Sequence, residues 1–193
     1  MSQKEACGFD NIYYEHLIPV RGLVSPVLAY VYTWMLRRSF MSDSLKRDVI
    51  ITLHKGGRKR EDDPNNYREI TLTSVLLKLY EMVLLHRCKS TMLEGLSTQQ
   101  GGFQEHLGCT MTSFVLRECI YFTHEQHSKL YMCFLDGKQA FDRVWHLGML
   151  YKLHSCVDQT TFSGIRNMYD NMTSCVSNQG LTSYWLPILQ GTR

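Results

Sequence analysis

Two hydrophobic rhythms alternate along the chain. Over residues 24–34 the apolar side chains Val24, Val27, Leu28, Val31 and Trp34 return every three or four positions, which predicts a helix with that stripe inward. Residues 74–87 repeat the pattern with Val75, Leu76, Leu79, Met82 and Val83 on one side, and 112–127 reads as another helix. Further helices are expected at 144–153, from Val144, Leu147, Leu150 and Leu153, and at 160–171. Short β-rich runs lie between them. One spans 48–53 and ends at a Gly-Gly loop; 174–176 and 182–188 form a pair joined across Asn178, Gln179 and Gly180. Residues 94–102, rich in Gly, Ser, Thr and Gln, read as a loop. The run Leu-Tyr-Met-Cys-Phe-Leu at 130–135 carries no charge, as in a strand buried on both faces, and a buried helical segment has the same pattern. Helices set between non-adjacent strands predict an α+β domain in which one sheet is layered with helices.

Composition narrows the class. A chain of 193 residues, 44% apolar and 20% charged with a net charge of +3, has enough apolar surface for one core, or for part of a larger one. A predominantly disordered chain is excluded. The best apolar stretch, 22–36, falls short of the ~20 residues a membrane span needs and is closed by Arg37 and Arg38. The first residues are polar and no apolar run follows them, so no secretory leader is expected. Seven scattered cysteines without a C-x-x-C pair suggest neither a disulfide framework nor a zinc site. The expectation is a reduced, intracellular chain of the cytoplasm or nucleus. His124 and His127 stand three apart without further ligands, and no nucleophile-elbow signature accompanies the Ser, His and Asp residues.

Two segments carry candidate chemistry. Lys46, Arg47, Lys55, Arg58, Lys59 and Arg60 crowd one stretch against Asp48 alone, with Glu61, Asp62 and Asp63 following at once. Such a run is either a solvated loop whose charges cancel or a phosphate-contacting loop whose affinity falls with salt. The second segment runs from Phe134 through Leu135, Asp136 and Gly137 to Phe141 and Asp142. A carboxylate at the mouth of a buried strand is held where a metal ligand or catalytic acid is needed. Magnesium takes hard oxygen donors, commonly one or two protein carboxylates with phosphate and water. The alternative role for Asp136 is a cap on the following helical start.

Six blocks in order resemble the reverse transcriptase domain of non-LTR (LINE-type) retrotransposons. Lys4, Glu5, Ala6, Cys7, Gly8, Phe9 and Asp10 are similar to an opening K-A-P-G-P-D. The run from Asp63 to Leu72 resembles D-P-x-N-Y-R-P-I-S-L, and Lys78, Leu79, Tyr80 and Glu81 with Arg87 resemble K-L-x-E…R. Gln100, Gly101, Gly102 and Phe103 resemble Q-x-G-F-R. Asp136 to Asp142 resembles D-x-x-K-A-F-D, the first catalytic motif of the polymerase palm, and Gly191, Thr192 and Arg193 resemble the start of G-V-R-Q-G.

That resemblance implies a right-hand polymerase, with a fingers-like region over 1–108 and a partial palm over 109–193. It implies RNA-directed DNA polymerase chemistry by two-metal nucleotidyl transfer, with Mg2+ as cofactor and RNA template, DNA primer and dNTP as partners. By position, Asp136 would be catalytic and hold magnesium with the backbone carbonyl of Gly137, and Asp142 would support the motif without ligating metal. Lys55, Arg68 and Phe141 would bind the nucleotide, Phe141 beneath its sugar; Phe141 as a core aromatic and Lys55 as a solvated loop residue are the alternatives. Gly191 and Arg193 would face the template.

Departures from the pattern bear on that expectation. Glu69 stands where the family has Pro, Gln104 replaces an Arg, and Lys138 sits one place early with Gln139 at the usual Lys position. The paired aspartates of the family's second catalytic motif are not in this sequence, so the chain is expected to end within the palm and not to polymerise DNA by itself. Two other functions compete with a polymerase fragment: a non-catalytic module binding RNA or hybrid duplex, and a decayed open reading frame whose product folds poorly.

Overall fold

The computed structural model describes residues 6–97, 99–178 and 180–192. Lys4, Glu5, Gln179 and Arg193, which carry parts of the expectations above, lie outside them. In chain order the elements are α1 (Tyr14–Leu17), α2 (Arg21–Arg38), β1 (Arg47–His54), β2 (Tyr67–Leu72), α3 (Val75–Glu94), α4 (Cys109–Glu125), α5 (His146–His154), α6 (Gln159–Tyr169), β3 (Thr173–Asn178), β4 (Leu181–Thr182) and β5 (Leu186–Pro187). The fold is α+β with one mixed sheet.

The sheet has the order β2-β1-β3-β4. β1 and β2 are antiparallel, with Leu53 opposite Arg68 and His54 opposite Tyr67. β1 and β3 are parallel, with Arg47 opposite Thr173 and Val49 opposite Cys175. β4 and β5 return along the other side of β3. Strands from both ends of the chain therefore share one sheet, and β1, which pairs on both sides, ties them together.

The core lies where α2, α3 and α6 meet, around Tyr32, Met35, Leu36, Leu77, Tyr80, Leu84 and Met168. Each of these three helices starts or packs for an identifiable reason. Ser74 caps α3, its hydroxyl oxygen accepting the Leu76 amide at 3.2 Å. Asp158 caps α6 through the amides of Thr160 and Thr161, both at 3.0 Å, and takes the Thr161 hydroxyl at 2.5 Å. Those bonds, the Thr161 hydroxyl foremost, hold the Asp158 carboxyl below its ordinary value. Tyr32 can be buried because its hydroxyl donates to the Leu76 carbonyl at 2.6 Å, and its ring meets Tyr80 edge-to-face at 5.4 Å.

The helices stand where the hydrophobic rhythm put them, but two present other faces. In α3 the buried side chains are Val75, Leu77, Tyr80, Leu84 and Cys88, while Met82 and Val83 are exposed. In α2 they are Tyr32, Met35 and Leu36, while Val27, Val31 and Trp34 are exposed. Both tyrosines belong to the core stripe because their apolar rings fill it, so a count of aliphatic residues alone rotates the face. A larger correction concerns residues 130–135. They form neither strand nor helix, and Leu135 is 95% exposed. An apolar strand needs neighbours for its backbone hydrogen bonds and for both faces, and none of the five strands lies beside this one. All seven cysteines are free, and no helix among the described residues is long and apolar enough to cross a membrane.

Candidate functional site

The β1–β2 hairpin sets the first wall of the site. Its long connection turns at Gly56 and Gly57, both at positive φ, where a side chain would be strained. The ends are stitched by the Lys55 amide, which donates to the Asn66 carbonyl at 2.8 Å, and by the Lys55 ammonium, which donates to the Asn65 carbonyl at 2.6 Å. Asp63 accepts the Asn65 amide at 3.0 Å and the Asn65 side-chain amide at 2.9 Å, which hold its carboxyl below the ordinary range. Tyr67 donates its hydroxyl to the Glu61 carbonyl at 2.8 Å. The connection between the strands is thus internally bonded, and Lys55 is anchored in it.

The cations of this loop divide into two groups. Arg60 grips Asp62 with two bonds of 3.0 and 2.6 Å, so its charge is locally balanced. Arg58, Lys59 and Arg68 are exposed and have no ion pair or hydrogen-bonding side-chain partner among the described residues. Arg68 therefore keeps its guanidinium available beside the hairpin's edge, and edge strand β2 carries it there in register with Leu53.

The second wall is a tight turn at 138–143, closed by the Arg143 amide on the Gln139 carbonyl at 3.1 Å. Between the two walls lies an open cavity of about 900 Å³ lined by Lys55, Asn65, Tyr67, Arg68, Glu69, Asp136, Gly137, Lys138, Gln139 and Asp142, among others. Four residues singled out in the sequence, Lys55, Arg68, Asp136 and Gly137, therefore border one space, although more than sixty positions separate the two pairs. Asp136 is exposed and engages no other described residue, so its oxygens are available. Among the described residues no group of three His, Cys, Asp or Glu side chains is arranged to hold a metal.

Phe141 stands apart from that cavity. It is 58% exposed, so it is not a core aromatic, and its ring meets Phe103 edge-to-face at 5.8 Å. Gly191 lies in a neighbouring cavity of about 510 Å³, which it lines with Asp48, Thr71, Thr192 and others, and Glu69 and Asp142 line both spaces. The backbone there is specific: Gly191 has φ of +97°, and a Cβ on it would stand 3.0 Å from the Asp142 carbonyl oxygen. Arg193 lies outside the described residues.

Sequence reasoning missed what β2 and the turn contribute. Lys138 brings a cation into the cavity from one place before its expected position, and the Asn65 carbonyl fixes Lys55. The alternation of Ile70 and Leu72 with Glu69 and Thr71 after a Pro-Asn-Asn turn is the signal for the strand that carries Arg68.

The family model for reverse transcriptase (RNA-dependent DNA polymerase) matches residues 53–192, a span that includes every residue lining the cavity between Lys55 and Asp142. A probable RNA-directed DNA polymerase from transposon BS of Drosophila melanogaster is 34% identical over 154 residues, covering 78% of this chain and 17% of that protein. RNA-directed DNA polymerases from the mobile element jockey are similar as well. The Drosophila melanogaster protein is 32% identical over 91% of this chain and 19% of its own length, and the Drosophila funebris protein 31% identical over 86% and 18%. The chain spans less than a fifth of the length of these curated relatives.

Proposed function

The chain belongs to the reverse transcriptase (RNA-dependent DNA polymerase) family, of the non-LTR retrotransposon type, and from that premise we propose that the cavity between the β1–β2 hairpin and the 138–143 turn receives a nucleoside triphosphate for RNA-templated DNA synthesis. The observation that carries this reading is the convergence of Lys55, Arg68, Asp136 and Gly137 on one cavity. Lys55 and Arg68 supply fixed positive charge for the phosphates, Arg68 with a fork suited to phosphate oxygens. Lys138 adds a third cation from the opposite wall.

The donor set suits magnesium. Asp136 offers a free carboxylate and Gly137 a backbone carbonyl, both hard oxygens, and a triphosphate would complete the shell. Bound magnesium would supply activation of a primer 3′-hydroxyl and neutralisation of charge on the departing pyrophosphate. Asp136 would be the catalytic carboxylate, with Asp142 lining the same cavity without ligating metal. Phe141, backed by Phe103, would meet the sugar at the cavity's margin. Gly191 and Arg193 would border the template. In this reading residues 1–108 contribute the fingers and 109–193 the beginning of the palm, with β3 to β5 returning to the fingers sheet.

A single-carboxylate metal site is a weak holder of two cations, so binding is the property to test first. Titration of a dNTP with magnesium into the chain should saturate, and Asp136→Asn should remove the magnesium dependence while leaving dNTP binding through Arg68 partly intact. Equal binding with and without magnesium, unaltered in Asp136→Asn, would overturn the assignment. The unpaired Arg58 and Lys59 favour a second reading, a module that holds RNA or hybrid duplex without chemistry. Salt-sensitive hybrid binding in a chain that takes no dNTP would select it.

A further inference from the structure

The segment that carries Phe141 and Asp142 is pinned to the segment that carries Gly191 by a short ladder. The Thr192 amide donates to the Phe141 carbonyl at 2.8 Å, the Gly191 amide to the Val144 carbonyl at 2.8 Å, and Trp145 pairs with Gln190 as an antiparallel bridge. One side chain completes it. His146, the first residue of α5, places Nε2 2.7 Å from the Gly191 carbonyl oxygen. A carbonyl only accepts, so the ring must donate from Nε2–H. Tyr169 of α6 meets the ring at 4.9 Å and 61°, which fixes its plane.

From this geometry we infer that His146 is a positioning residue: it holds the Gly191 run against Asp142 and so fixes the wall that the two cavities share. The inference rests on the reading of those cavities as nucleotide and template spaces, because only then does a fixed wall set the offset between incoming nucleotide and template. The ladder has few bonds and lies outside the strands of the sheet, so a side chain of α5 packed on α6 adds the rigidity that neighbouring strands would supply elsewhere. Gly191 contributes the other half. Its positive φ and the absence of a Cβ let it approach Asp142, and the imidazole then closes over its carbonyl.

Two readouts on the full chain separate this role from the functional reading. Amide hydrogen exchange at Gly191 and Thr192 reports the ladder without any ligand. His146→Leu should raise both rates about three- to tenfold, the expected effect of one lost hydrogen bond on local opening, with α3 amides unchanged. His146→Gln, whose amide nitrogen can reach the same carbonyl, should restore rates to within about twofold. Gly191→Ala should open the ladder from the other side with His146 intact. Titration of an RNA–DNA hybrid should then weaken in His146→Leu in step with exchange and recover in His146→Gln. Unchanged exchange in His146→Leu, or equal loss in the Leu and Gln variants, would overturn the positioning role. Faster exchange in His146→Leu with hybrid binding unaltered would confine His146 to structure and overturn the inference too. A wild-type chain that ignores the hybrid would sink the template reading, while exchange would still decide whether His146 holds the ladder.

Discussion

The three-helix layer on α2, α3 and α6 and the arm at 99–141 contain similar apolar side chains and treat them in opposite ways. In the layer, Leu77 is fully buried and Tyr80 nearly so. In the arm, α4 has no buried residue, Phe122 is 65% exposed and Phe134 79%. Hydrophobicity alone does not bury a side chain; a partner surface does. The cavity lies at the seam between these regimes, with Arg68 on strand β2, Lys55 in the connection just after β1, and Asp136 near the end of the arm. Lys55 is held by hydrogen bonds and Arg68 by a paired strand, whereas Asp136 is carried by an exposed segment that forms neither strand nor helix.

The sharpest way to break this contrast is truncation in each region. Leu77→Ala should cost about 2–5 kcal/mol of unfolding free energy, whereas Leu135→Ala should change it by less than about 0.5 kcal/mol. Chemical denaturation measures both, and comparable losses would mean that the arm is packed. The same core should respond to alkali. Burial pushes the phenols of Tyr32 and Tyr80 up to about 12. The folded state therefore favours their neutral forms. That contribution is complete below their ordinary value of 10.0 and is lost as pH rises toward 12. Fluorescence-monitored unfolding across that range should show stability falling, less steeply in Tyr80→Phe.

Next in size is the loss of charge from the ordered wall. Arg68→Ala should weaken magnesium–dNTP binding tenfold or more, as expected when a charge-assisted bond worth roughly 1.5–3 kcal/mol is removed. Arg60→Ala should leave binding nearly unchanged, because Asp62 already occupies that guanidinium. Equal effects in calorimetric titrations would mean that the loop acts only through net charge. The smallest effect belongs to a helix cap. Asp158→Ala should cost about 1 kcal/mol and should also remove an acid-sensitive component of stability. Because its carboxyl is held below the ordinary value, the wild-type contribution is present above that value and lost as pH falls through the lowered one. Thermal melts of wild type and variant should therefore converge in acid.

Much of the layer was legible from the chain. The positions of α2, α3, α5 and α6 and of β1 and β3 follow from local rhythm. Which face each helix buries was less legible, because Tyr32 and Tyr80 enter the core only where a hydroxyl finds a partner or an aromatic neighbour. The run at 130–135 misled for a complementary reason. Its composition suits burial on two sides, and composition carries no information about whether neighbouring strands exist. The site was legible in part. The family resemblance singled out Lys55, Arg68, Asp136 and Gly137, and that they border one cavity depends on tertiary contacts. Phe141 stands outside it, and His146 gave no signal beyond following Asp142 by four residues.

The parallel pairing of β1 with β3 has a temporal consequence during synthesis. When β1 and β2 leave the ribosome they can zip into a hairpin at once, but the other side of β1 must stay open until α3, α4, α5 and α6 have emerged and β3 arrives. Long-separated partners make such closure slow, and an open strand edge invites pairing with another nascent chain. Sheet completion is therefore a late event, and until β3 arrives one edge of β1 stays open to such pairing.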